Sequence, residues 1–162
     1  MTTLTCASNL TPLTLAPGCY TITTSSSPQD LQLNVIVTSN DNLVTVDPTL
    51  PPAVFLFVEN LGGVVGQNTL VTAIPGANVW LNATVIGPTA AWLAVANLTQ
   101  KTVPFYTDSR GHIYFFTQNQ QWTLCVQSFQ TAWVLMAYAC NSTIRADVNQ
   151  AVFTFHPVNL PG

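Results

Sequence analysis

Charge is what this chain has least of. Three basic residues, Lys101, Arg110 and Arg145, stand against six acidic ones, so only 6% of the 162 residues are charged, where ordinary soluble domains carry roughly 25%. Three cations do not supply the phosphate contacts on which nucleic-acid affinity depends, nor a basic patch for anionic lipid, so neither a nucleic acid nor a membrane is an expected partner. The surface has to be built from Thr, Asn, Gln and Ser instead. With 48% hydrophobic residues and a formal net charge of −3, little repulsion opposes association, and the expected resting state is an assembly. The same balance excludes intrinsic disorder.

Other absences narrow the chemistry. The opening stretch MTTLTCASNLTPLTL has no basic n-region and no apolar core of signal-peptide length, and the longest apolar run, Ala132 to Cys140, spans about half a bilayer. Export by that route is not expected. No C-x-x-C, H-E-x-x-H or H-x-H spacing occurs, so no metal and no cofactor is expected. Cys6, Cys19, Cys125 and Cys140 admit three connectivities. Local pairing, 6 with 19 and 125 with 140, would staple the first residues and the last hairpin. Without export, free and buried thiols acting as small hydrophobes are the expectation. A chain of this length buries roughly 70% of its unfolded surface without crosslinks.

Catalytic constellations are also scarce. Asp108, Ser109 and His112 form a local trio, but three residues within one tight turn and its strand rarely reach relay geometry. A glycosidase would need two placed carboxylates from Asp30, Asp41, Asp47, Glu59, Asp108 and Asp147, most of which sit where Asp bonds its own backbone in a turn. The glycine-rich Leu61 to Gly66 lacks the lysine and the following helix of a phosphate cradle, and reads as a loop. No enzymatic activity is expected.

What is present is β-structure, most legible from Val103 to Gln127. In Thr107-Asp108-Ser109-Arg110-Gly111, Asp108 is the side chain that bonds its own backbone and Gly111 the residue asked for positive φ, so the pair makes a structural turn. After it, Ile113 and Phe115 alternate with His112, Tyr114 and Phe116 at a strand's period of two. Trp122, Leu124 and Val126 repeat the pattern beyond the polar link Gln118 to Gln121. The segment is an antiparallel hairpin expected to bury Ile113, Phe115, Trp122 and Leu124.

This hairpin, with Pro104, Thr107, Asp108, Gly111, Tyr114, Phe115, Trp122, Thr123, Leu124 and Val126, resembles the prealbumin-like β-sandwich modules of bacteriophage tail and virion-surface proteins. The resemblance covers Ala77 to Ser128. It implies a β-sandwich, a place on a virion, capsid or tail proteins as partners, and a threefold assembly.

Elsewhere short strands alternate with breakers. Strands are expected at Cys19 to Thr23, Leu31 to Val37, Leu43 to Val46, Ala53 to Val58, Thr69 to Ile74, Val79 to Ile86, Ala91 to Ala96, Gln130 to Cys140 and Ala151 to His156. Ala53 to Val58 is apolar on both faces, which suits a sandwich core or a subunit contact. Ala90 to Leu98 and Thr131 to Ala139 are the best helix alternatives. The sum is all-β, an antiparallel β-sandwich or jelly roll over residues 19–162, with a possible subdivision near 61–68.

Residues 1–18 lack alternation and read as an extended N-terminal arm. Its Leu4, Leu10, Leu13 and Leu15 have no strand pattern of their own to bury them, so an assembly role on a neighbouring subunit is expected. Together these readings describe a non-enzymatic virion structural protein, a capsid decoration or tail-surface subunit made in the host cytoplasm and acting as a homo-oligomer, with a trimer favoured. The alternative is a carbohydrate-binding or adhesive β-sandwich, for which Trp80, Trp92, Trp122 and Trp133 offer stacking surfaces.

Overall fold

The computed structural model describes residues 2–16, 18–26, 31–37, 44–59, 68–72, 79–85, 87, 89–97, 105–117, 119–129 and 132–159. The fold is all-β. Its strands are β1 (Thr2–Thr3), β2 (Thr11–Pro12), β3 (Gly18–Ser26), β4 (Leu31–Val37), β5 (Val44–Asp47), β6 (Val54–Glu59), β7 (Asn68–Thr72), β8 (Val79–Val85), β9 (Ala90–Asn97), β10 (Tyr106–Thr107), β11 (Ile113–Thr117), β12 (Gln120–Phe129), β13 (Ala132–Ala139), β14 (Thr143–Ile144), β15 (Val148–Gln150) and β16 (Val152–Val158). Both segments with a helix alternative are strands, β9 and β13. In β13 the aromatic and β-branched residues suit pleated neighbours better than a helical turn.

Among the described residues every pairing is antiparallel, and three strands have a divided edge. Along β3, one edge carries β16 from Cys19 to Ser25, while the other is shared by β6 at residues 18–21 and β4 at 23–26. β13 gives one whole edge to β12 and splits the other between β5 and β9. β12 likewise divides its outer edge between β11 and β15. Each division sends the sheet two ways from one strand, which curls it into the layers of a sandwich. The path from β13 through β5, β4, β3, β6, β7, β8 and β9 returns to β13.

The main core fills the space so enclosed. Tyr20, Ile22, Leu33, Val35, Val44, Val46 and Phe55 meet Ile113, Phe115, Trp122, Leu124, Val126 and Leu135, all buried. The four hairpin residues expected inside are there, none more than 3% exposed. The link between the hairpin strands is shorter than its sequence suggests, because Gln120 already pairs with Thr117 and Asn119 takes a left-handed φ of 58°. The outer side chains of Ala53 to Val58 beyond Phe55, and the 61–68 subdivision apart from Asn68, lie outside the described residues.

A second, smaller cluster covers the other face of β12, where Leu4, Cys125, Ile144 and Val148 are buried together with Tyr138 against them. An extended arm over residues 1–18 is not evidenced. Residues 2–16 lie along the chain's own body, β1 on β14 and β2 on β10. Leu4 donates to the Ser142 carbonyl at 2.9 Å and accepts from Asn141 at 2.8 Å. Gln121 clamps the Ala7 backbone with both ends of its amide, at 2.8 and 3.0 Å. Leu4 and Leu13 are each 4% exposed, and Leu15 packs on the main core while Leu10 is half-buried. Leu4, Leu13 and Leu15 are covered by the chain's own clusters. The cysteine expectation is corrected. Cys6 is bonded to Cys140 across 134 residues, neither local nor free, while Cys19 and Cys125 are thiols.

Candidate functional site

The Asp108 turn and residues 2–9 face each other across a cleft of about 530 Å³. Its making begins with the turn. Asp108 Oδ1 accepts the N–H groups of Arg110 at 2.9 Å and His112 at 3.0 Å, an Asx-type closure of the backbone. Gly111 completes the reversal at φ 88°. Its carbonyl accepts the Phe153 N–H at 3.0 Å, which ties the turn to β16. Both residues singled out for this turn lie within it.

The second carboxylate oxygen reaches into a polar network. Asp108 Oδ2 lies 3.0 Å from His112 Nδ1 and accepts the Tyr114 hydroxyl at 3.0 Å. An ionised carboxylate only accepts, so Nδ1 is the donor in that bond. Gln150 Nε2 donates to Tyr114 Oη at 3.0 Å and to Thr123 Oγ1 at 2.9 Å, and Thr123 passes its own proton to the Ile113 carbonyl. Burial pushes the Asp108 carboxyl up. Against it, the N–H groups of Arg110 and His112, the Tyr114 hydroxyl and the His112 ring together hold it below its ordinary 3.8. Tyr114 is raised, first by burial and then by the adjacent Asp108.

Ser109 is exposed and makes no hydrogen bond with His112 among the described residues. The local trio is therefore a turn, with an oriented imidazole but no hydroxyl joined to it. No group of three or more His, Cys, Asp or Glu side chains is placed to hold a metal ion among the described residues. Cys125 lies in the small cluster, where burial pushes its thiol up to about 12. A thiol so held is inert.

Gln150 and Gln121 shape the site and carried no sequence signal, because their partners lie 36 and 114 residues away, and Asn149 lines the cleft beside Gln150. Leu4 and Leu13 were noticed, but for another purpose. Comparison with family models, with curated proteins and with solved structures finds no match.

Proposed function

We propose that the protein is a non-enzymatic structural subunit of a virion, a capsid decoration or tail-surface protein of a bacteriophage. It stabilises its assembly as a homo-oligomer, a trimer, bound to capsid or tail proteins. The observation that carries this reading is the surface. Leu50, Phe116 and Val152 are 48%, 47% and 37% exposed, on a chain with three basic and six acidic residues. A surface so poor in charge resists association weakly.

Two further features support it. The Cys6–Cys140 bond suits oxidising surroundings such as a particle exposed outside a cell. The hairpin's resemblance to virion-surface modules supplies the class of assembly and the number three. Contacts then belong to the sandwich faces, because residues 2–16 are used within the chain itself.

Light scattering on the full chain at micromolar concentration tests the assembly. A closed trimer whose mass falls to that of a monomer on Phe116→Ser is the expected result. A monodisperse monomer across the concentration range overturns the reading.

A further inference from the structure

We infer that the cleft between residues 2–9 and the Asp108 turn is a binding site for a neutral, hydroxyl-rich ligand of one or two sugar units. Its volume of about 530 Å³ falls within the roughly 300–1,000 Å³ of small-molecule sites. One wall is the segment carrying Thr5 and Ser8, held in place by the Cys6–Cys140 bond and the Gln121 clamp. The facing wall carries Arg110, His112 and Asn149.

The ligand class follows from which valences remain open. Asp108 holds its charge, yet both its oxygens are committed, to two backbone N–H groups, an imidazole and a phenol. A cation would have to break those bonds. An anion would meet Arg110 but lie against the ionised Asp108, and the two charges cancel across the site. A lipid or apolar ligand finds no purchase, because Leu4, Ile144 and Val148 are 4–5% exposed and turned into their own cluster.

What stays free is a balanced set. Arg110 forms no ion pair and the Asn149 amide no side-chain hydrogen bond among the described residues. Committing His112 Nδ1 to Asp108 orients the ring and leaves Nε2 open to a ligand on a ring that lines the cleft. The site therefore offers a donor fork, an oriented ring nitrogen and an amide that both donates and accepts. A sugar hydroxyl, which donates and accepts at once, satisfies all three without bringing charge. The Asp108–Tyr114–Gln150 network fixes the wall beforehand, so little ordering is left for the ligand to impose.

Titration of the full chain with methyl glycosides of glucose, galactose and N-acetylglucosamine, and with lactose and maltose, tests this by ¹H–¹⁵N shift changes. At least one sugar is expected to shift the Arg110 and Asn149 signals. Arg110→Ala and Asn149→Ala should each weaken that binding about tenfold or more, with melting temperatures unchanged. Response to a disaccharide alone identifies a glycan chain as the source, and response to a methyl glycoside a free sugar. No shift with any sugar overturns the inference. So does sugar binding that survives both substitutions, or stronger cleft shifts with calcium chloride or inorganic phosphate. The inference does not depend on the virion reading, since a monomer that binds sugar here would remove that reading and leave this one standing.

Discussion

Phe115 and Trp122 stand directly opposite each other in the β11–β12 register, with rings stacked at 6.2 Å between centroids and 4° between planes. Both are fully buried, and Phe105 meets Phe115 edge-on at 6.3 Å. Trp122→Ala is expected to cost about 3–5 kcal/mol. In a double-mutant cycle with Phe115→Leu, the pair should show a coupling of about 0.5–1.5 kcal/mol. Denaturant unfolding of the four proteins measures both, and additive losses would remove the pair interaction.

Gly111 is held at positive φ with little room beside it. A Cβ there would meet Val152 Cγ1 at 3.3 Å and the Phe153 carbonyl at 3.5 Å. Gly111→Val should destabilise by at least about 1–3 kcal/mol, while Ser109→Ala, at an exposed position, should stay within about 0.5 kcal/mol. Equal melting temperatures for the two variants would refute the turn's role.

Asp108 gives the fold a pH dependence of known sign. Its folded-state value is depressed, so its contribution is present above the ordinary 3.8 and is lost as the pH falls through the lower folded value. Asp108→Asn should cost about 1–2 kcal/mol at neutral pH and progressively less below pH 4. A gap between the two proteins that stays constant from pH 7 to pH 2 would contradict this.

Thr24 is 1% exposed, between Leu33 on β4 and Phe153 on β16, and its hydroxyl has no hydrogen-bond partner among the described residues. Thr24→Val keeps the shape and removes the orphaned group, so a gain of about 1 kcal/mol is expected. A loss of stability on urea unfolding would mean that the hydroxyl is satisfied in solution.

Cutting the Cys6–Cys140 bond should loosen the segment that buries Leu4. Cys6→Ser is expected to cost about 2–4 kcal/mol, and reductant should lower the wild-type melting temperature while leaving the variant unaffected. Identical melts with and without reductant would argue that the bond does not form.

The sequence carried the strands well and the packing between distant segments poorly. Alternation exposed Ile113, Phe115, Trp122 and Leu124 because one face of that hairpin is uniformly inside. It hid Thr123, Cys125 and Gln127, whose opposite face is also covered, by Leu4 and Val148 from the two ends of the chain. Bridges of two residues, such as β1 and β2, are too short to leave a period. Local chemistry found Asp108 and Gly111, since a turn is written within five residues. Gln150 and the Cys6–Cys140 bond depend on tertiary closure, and neither spacing nor composition records that.

Pairing between segments far apart in sequence has a bearing on how the fold closes. β3 meets β16, β1 meets β14, and Cys6 meets Cys140 across 134 residues, so each contact has to overcome the entropy of a long loop before it forms. Until then the edge of β3 that receives β16 is uncovered, and Leu4 lacks the cover of Ile144 and Val148. A chain caught at that stage is adhesive, and a chaperone that shields the open edge would guard it through that interval.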